Sequence, residues 1–416
     1  MPHIDVSTLK KAVENAVREV KVTDVHTHLF TADFGDLLLW GVDELLTYHY
    51  LVAEVMRHTD IPYETYWAMS KDKQAELIWD VLFIRNTPLS EACRGVLTVL
   101  EKLGLDTSRR DLGSYRSYFG SMTVEDYIDK VLEISGVRTV VMTNDPFEDT
   151  ERTVWIRSFK GDPRFRAALR IDPLLNKWGL SCNMLKQWGY EVEPELTDTT
   201  LREIRRFLAE WMDMMKPLYM AASLPPSFKV PEDSYRSRIV EECVIPVSRE
   251  KNIPFAMMIG VKKQTNPSLG LAGDSVGKAD IGVVEYLCSK YPRNKFMVTM
   301  LSRENQHELC VAARKFRNLL IFGCWWFLNN PSLVQEITRM RLELLGTSVI
   351  PQHSDARVLD QLIYKWEHSK KIISDILFEK YSDLVAAGWR IEEEEIRRDV
   401  DKLFGGNFWS FLESNF

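Results

Sequence analysis

Val22-Thr23-Asp24-Val25-His26-Thr27-His28-Leu29 is a short apolar run ending in an H-x-H pair, and Ser354-Asp355-Ala356-Arg357 closes another such run far along the chain. In a β-strand successive side chains alternate faces, so positions 26 and 28 point the same way and can present two imidazoles to one ion. Asp355 is the carboxylate that would complete a divalent-metal site. A barrel of eight parallel strands unites such distant segments, because its first and last strands are neighbours and functional groups gather at the strands' carboxyl ends.

Further β-rich apolar runs occur at Thr139 to Thr143, Phe165 to Ile171, Leu218 to Leu224, Pro254 to Val261, Lys295 to Leu301, Leu319 to Trp326 and Ser348 to His353, making eight with the first. Helical patterns separate them, and strand-helix alternation argues for a parallel sheet, eight strands for its closure. The expected fold is therefore α/β, a TIM-like (β/α)8 barrel spanning 1–416 as one domain. Residues 30–138 are far too long for an ordinary strand-to-helix crossover and carry helical spacing at Val42 to Met56, Lys73 to Ile84, Leu89 to Leu103 and Val124 to Ile134. They are expected to form a helical insertion that contributes to the site. A helical C-terminal tail runs from Val358 and ends in Phe404, Phe408, Trp409, Phe411 and Phe416, aromatics expected to dock on the body or on a neighbouring subunit.

The 416 residues are 45% hydrophobic and 27% charged, the composition of an ordinary globular protein. A formal net charge of -7 argues against a general affinity for nucleic acid or an anionic membrane, and leaves room for a local basic pocket. Six cysteines are scattered without a C-x-x-C pair and read as reduced core residues. Leu9, Val13, Val17 and Val20 recur at helical spacing among charged residues, so the N-terminus reads as an amphipathic helix rather than a signal peptide. No apolar run reaches the roughly 20 residues needed to span a bilayer. The expected location is the cytoplasm, and the aromatic tail suggests a homo-oligomer.

Taken alone, the H-x-H pair also fits two partly buried strand histidines, and Asp355 fits an N-cap or ion pair. The combination narrows the choice. Asp24-Val25-His26-Thr27-His28-Leu29 resembles the opening of the amidohydrolase superfamily. Trp325-Trp326-Phe327, Asp355-Ala356-Arg357, Arg170-Ile171-Asp172 and the block from Gly270 to Gly277 resemble the uronate isomerases, in particular their shorter, divergent branch found in bacilli. The match runs through nearly the whole chain.

The resemblance implies that His26, His28 and Asp355 hold one divalent ion, with Zn2+ the first choice and Mn2+ or Fe2+ also suited to two imidazoles and a carboxylate. It implies interconversion of D-glucuronate with D-fructuronate, or of D-galacturonate with D-tagaturonate, through a cis-enediol. His49 and Tyr50 match the family's His-Tyr pair. Tyr50 is the candidate for proton transfer at carbon 2, aided by metal-bound water or Asp355, a role that requires a phenol pKa lowered by the metal or a nearby Arg. His49 would hydrogen-bond the substrate's oxygens. Arg170 and Arg357, at the ends of the third and eighth runs, are candidates for gripping the hexuronate's carboxylate bidentately. Trp325 or Trp326 would wall the pocket and offer one N–H donor, the other packing into the barrel shell. Arg303 is a further substrate-binding candidate.

Two departures stand out. Met258 occupies the fifth-strand place where longer uronate isomerases have a histidine, and Ala222-Ser223-Leu224-Pro225 lacks their fourth-strand aspartate. A two-metal hydrolase is disfavoured by these absences. A metal-dependent hydrolase or decarboxylase, or a non-catalytic sugar-acid-binding barrel, are the alternative readings, and the preferred epimer is not legible.

Overall fold

The computed structural model describes residues 6–157 and 161–416. Seven parallel strands form one curled sheet in sequence order: β1 Val22–Thr27, β2 Val137–Asn144, β3 Phe165–Arg170, β4 Met220–Leu224, β5 Phe255–Ile259, β6 Phe296–Met300 and β7 Leu319–Ile321. The eighth expected strand, Ser348 to His353, is not a regular strand. Pro351 cannot donate to a ladder, and the segment is reduced to a parallel bridge from Ile350 to Phe322.

It nevertheless closes the barrel. Ile350 N–H donates to Ile321 O at 3.1 Å and Gly323 N–H to Ile350 O at 2.8 Å. On its other side, Asp355 N–H donates to His26 O at 3.2 Å and His28 N–H to Ala356 O at 2.7 Å. The interior confirms the count, for Val25, Val141, Ala168, Ala221, Ala256, Met297, Leu320 and Ile350 contribute one buried residue from each of the eight runs to a single cluster. The small alanines on β3, β4 and β5 leave room for larger fillers, Tyr219 and Met258. This follows the layered packing of such barrels, in which the centre is a core and not a pore.

Phe408 and Phe411 of the C-terminal helix Asn407–Glu413 plug the same cluster, with the Phe408 ring 6.2 Å from that of Tyr219. Gly405, at φ +151, lets the tail pass Thr23, where a Cβ would meet the threonine side chain at 2.7 Å. Trp409 Nε1 then donates to Thr23 Oγ1 at 3.0 Å. Phe408 and Phe411 are thus used inside the chain's own barrel, while Phe404 packs in the surrounding core. The acidic run at 392–395 is a capping box, in which the Glu392 and Glu395 side chains satisfy each other's backbone N–H groups at the start of Glu393–Asp401.

Between β1 and β2 the chain is helical. Val42 to Met56 is broken into two helices, Val42–Leu46 and His49–Val55, where the Thr47 hydroxyl donates back to Asp43 O at 2.7 Å. That break places His49 at the start of the second helix. Val6–Glu19 buries Leu9, Val13 and Val17 against the long helix Gln361–Ala386. All six cysteines are buried and free, and no helix among the described residues is long and apolar enough to cross a membrane.

Candidate active site

At the carboxyl ends of the strands, His26 Nε2 and His28 Nε2 face Asp355 Oδ1 at 3.6 and 3.4 Å. Simple alternation does not explain how they arrive there. The pairing of β1 with β2 shifts register between Asp24 and Thr27, and across this irregularity Val25 and His26 both reach the interior, where His26 meets Tyr219 and Phe322.

The surroundings fix which nitrogen each ring presents. Tyr219 donates its hydroxyl to Val25 O at 2.7 Å, so toward His26 Nδ1, at 3.2 Å, it can only accept. Thr143 likewise donates to Thr27 O at 2.8 Å and accepts from His28 Nδ1 at 2.9 Å. Both imidazoles therefore carry their proton on Nδ1 and turn the Nε2 lone pair toward Asp355, as metal-ligating histidines do. Burial first, and then nearby positive charge, holds His26 down at about 3 and His28 well below the usual histidine range, so both are neutral at pH 7. His26 Nε2 and Asp355 Oδ1 are buried without a hydrogen-bond partner. Orphaned acceptors of this kind, all within 4.8 Å of one another, fit a divalent cation. Among the described residues this is the one such group; Met258, buried in the barrel interior, adds no polar ligand.

Around the triad a cavity of about 30 Å³ is lined by His28, His49, Arg170, Ser223, Val261, Lys263, Trp325, Trp326, Asp355 and Arg357. Two larger chambers flank it: an apolar one of about 660 Å³ that shares His49 and Arg357, and one of about 320 Å³ that shares His28, Arg170 and Arg357. Arg357 stands at the junction of all three.

The three cations differ in their company. Arg170 donates to Asp172 Oδ1 at 3.0 Å, and Lys263 pairs with Asp274 Oδ2 at 2.7 Å. No carboxylate among the described residues pairs with Arg357. Arg303, by contrast, lies outside the pocket; it pairs with Glu336 at 2.9 Å and its side chain is 57% exposed, so the substrate-binding expectation for it fails. The turn after β6 carries it outward.

Trp325 is buried in the interior cluster while also lining the pocket, and Trp326, at φ +47, stacks on Phe327 with its Nε1 buried and unpartnered. His49 Nε2 is likewise buried and free, and burial holds its imidazole down at about 3. Tyr50 does not line the cavity. Its hydroxyl is buried without a partner, and burial, followed by the neighbouring Tyr48 and Asp355, pushes it well above the ordinary phenol range. The protein groups around Tyr50 do not by themselves supply the lowered pKa that a tyrosine base requires.

Sequence reasoning missed Lys263, Tyr219 and Thr143. Lys263, just past the end of β5, was legible as a basic residue on the functional face; the two hydroxyls become informative only once their backbone acceptors are known.

Fold and site together define a (β/α)8 barrel with side chains able to hold a divalent ion at the carboxyl ends of its strands. No protein-family model matches the chain, and no curated protein sequence does. Among solved structures, a uronate isomerase from Bacillus halodurans C-125 superposes with a TM-score of 0.98 at 58% identity, covering 100% of this chain and 98% of that one. A uronate isomerase from Thermotoga maritima (TM-score 0.79, 16% identity, 97% of each chain) and a glucuronate isomerase from Caulobacter crescentus (TM-score 0.79, 13% identity, 98% of this chain and 94% of that one) share the fold. The chain belongs to the uronate isomerase family.

Proposed function

We propose that this protein interconverts D-glucuronate with D-fructuronate, D-galacturonate with D-tagaturonate, or both, using one divalent ion held by His26, His28 and Asp355. The full-length relative at 58% identity supports the reaction class, and the unpartnered acceptors of the triad support the ion. Zinc is the first choice for two imidazoles and a carboxylate, with Mn2+ and Fe2+ as alternatives. When bound, such an ion supplies Lewis acidity that polarises the sugar's carbonyl oxygen.

The chain's own groups divide the remaining work. Arg357, which pairs with no carboxylate among the described residues, takes the hexuronate's carboxylate, and Arg170, anchored by Asp172, flanks it. Isomerisation moves a proton from carbon 2 to carbon 1 and the carbon-2 hydroxyl proton to the carbonyl oxygen, by way of the cis-enediol. Asp355 is the carboxylate in reach of the ion site and takes the carbon-bound proton. His49, neutral and with a free Nε2 in the pocket, accepts from a substrate hydroxyl. Tyr50 keeps its proton and acts as a hydrogen-bond donor behind His49, their rings 4.6 Å apart. Trp326 Nε1 offers a further donor. The 30–138 segment is the insertion that brings His49 and Tyr50 to the barrel mouth. The net charge of -7 and the free, buried cysteines support a cytoplasmic setting without a nucleic-acid or membrane partner.

The test is a coupled assay of the purified protein with D-glucuronate and D-galacturonate, following ketouronate reduction before and after chelation. Turnover lost on chelation and regained with zinc or manganese supports the proposal and ranks the two acids. Absence of turnover on both, with metal bound, contradicts it.

A further inference from the structure

Lys365 lies in the first turns of the Gln361–Ala386 helix and is 3% exposed, yet no carboxylate among the described residues pairs with its ammonium. Lysine is seldom buried so completely without an ionic partner, because desolvating an ammonium costs several kcal/mol. A core position would be served by leucine or methionine.

Its hydrogen bond is informative. Lys365 Nζ donates to the carbonyl of Ser354 at 2.6 Å and lies 5.8 Å over the Tyr50 ring. That carbonyl and the N–H of Asp355 belong to a single peptide unit, and the N–H donates to His26 O at 3.2 Å. The unit joining residues 354 and 355 is thus held from both edges. Asn329 Nδ2 adds a longer bond of 3.2 Å to the same carbonyl, and Asp24 accepts the Ser354 N–H at 3.0 Å.

What this restrains is the backbone of Asp355, which sits at φ +53. A residue with a Cβ is less at ease in the left-handed region than in the ordinary helical or extended ones, although aspartate visits it more readily than most. Rotation of the peptide unit would relieve that cost, and would swing the carboxylate away from His26 and His28.

We propose that Lys365 is a positioning residue for the metal-ligating carboxylate: it pins the peptide unit between Ser354 and Asp355 so that Asp355 stays turned toward both imidazoles. The inference rests on the metal-site reading above.

Zinc affinity of the metal-free protein, measured by competition with a chromophoric chelator, tests it in wild type, Lys365→Met and Lys365→Gln, alongside the melting temperature of each metal-free protein. Lys365→Met replaces a buried ammonium that makes no salt bridge by an apolar group of similar length, so the metal-free variant should melt at or above the wild-type temperature. Its zinc affinity should fall about 10–100-fold, the usual loss when an outer-shell partner is removed, and the visible spectrum of the Co2+-loaded variant should change. Unchanged affinity in a folded variant overturns the assignment. So does an affinity loss matched by a lower melting temperature of the metal-free protein, or failure of both variants to fold, since either marks a core lysine. A wild-type protein that takes up no zinc removes the metal-site reading itself, and wild type is therefore measured first.

Discussion

Asp355 meets His26 twice: its backbone N–H donates to the His26 carbonyl at 3.2 Å, and its carboxylate oxygen faces the His26 Nε2 at 3.6 Å. The first contact zips the last segment of the barrel to the first strand, and the second forms the candidate metal site. Closing the fold and assembling the site are therefore one event, which explains how groups more than three hundred residues apart come to face one another.

Among the described residues Arg357 has no carboxylate partner, whereas Arg170 and Lys263 have Asp172 and Asp274. Charge-assisted hydrogen bonds contribute about 1.5–3 kcal/mol, so Arg357→Met should raise KM for hexuronate about 10–100-fold while leaving metal content unchanged. Lys263→Met should raise it less. Steady-state kinetics with metal analysis check this, and equal effects of the two variants would remove the special role of Arg357.

Tyr50→Phe separates a donor from a base. If Tyr50 acts as a donor, the variant should lose about tenfold in kcat, the worth of roughly one hydrogen bond of 1.4 kcal/mol, and keep the shape of its pH–rate profile. Disappearance of a limb of that profile would restore Tyr50 as the base.

The sequence yielded the triad, the order of the strands and the pocket position of Arg170 and Arg357, because each rests on a local signal: an H-x-H at a strand end, apolar runs of strand length, a basic residue where a run stops. It misjudged Arg303 because a strand's end does not reveal the direction of the turn that follows. The eighth run was found, but not that Pro351 would leave it a bridge, or that β1 needs an irregularity for His26 to turn inward. The tail aromatics were visible as a cluster, while their destination inside the barrel depends on the space left by Ala168, Ala221 and Ala256, a property of packing rather than of any one segment.

Burial raises Glu151 and Asp145 each to about 7, and Asp145 N–H donates to the Glu151 carboxylate at 2.9 Å. A carboxyl whose folded pKa lies above its unfolded value binds more protons when folded, so its contribution to stability is full below about pH 4 and is lost as pH rises through about 7. Glu151→Gln keeps an acceptor for that N–H and removes the titration. Its melting temperature should fall less than that of wild type between pH 5 and pH 8; parallel curves would contradict this.

Phe408 is fully buried in the barrel interior although it belongs to the C-terminal helix. Phe408→Ala should cost about 3–5 kcal/mol, read as a lower denaturation midpoint. A loss below 1 kcal/mol would mean that the tail is not an integral part of the barrel core.

The most direct test of the whole account is titration of the metal-free protein with zinc while binding and D-glucuronate turnover are followed together, in wild type and in Asp355→Ala. Wild-type turnover should rise linearly and break at one equivalent per chain, while the variant should neither bind tightly nor turn over. Full turnover of the metal-free wild type, or a variant that binds and reacts like it, would rule out a metal held by Asp355 as the basis of the reaction.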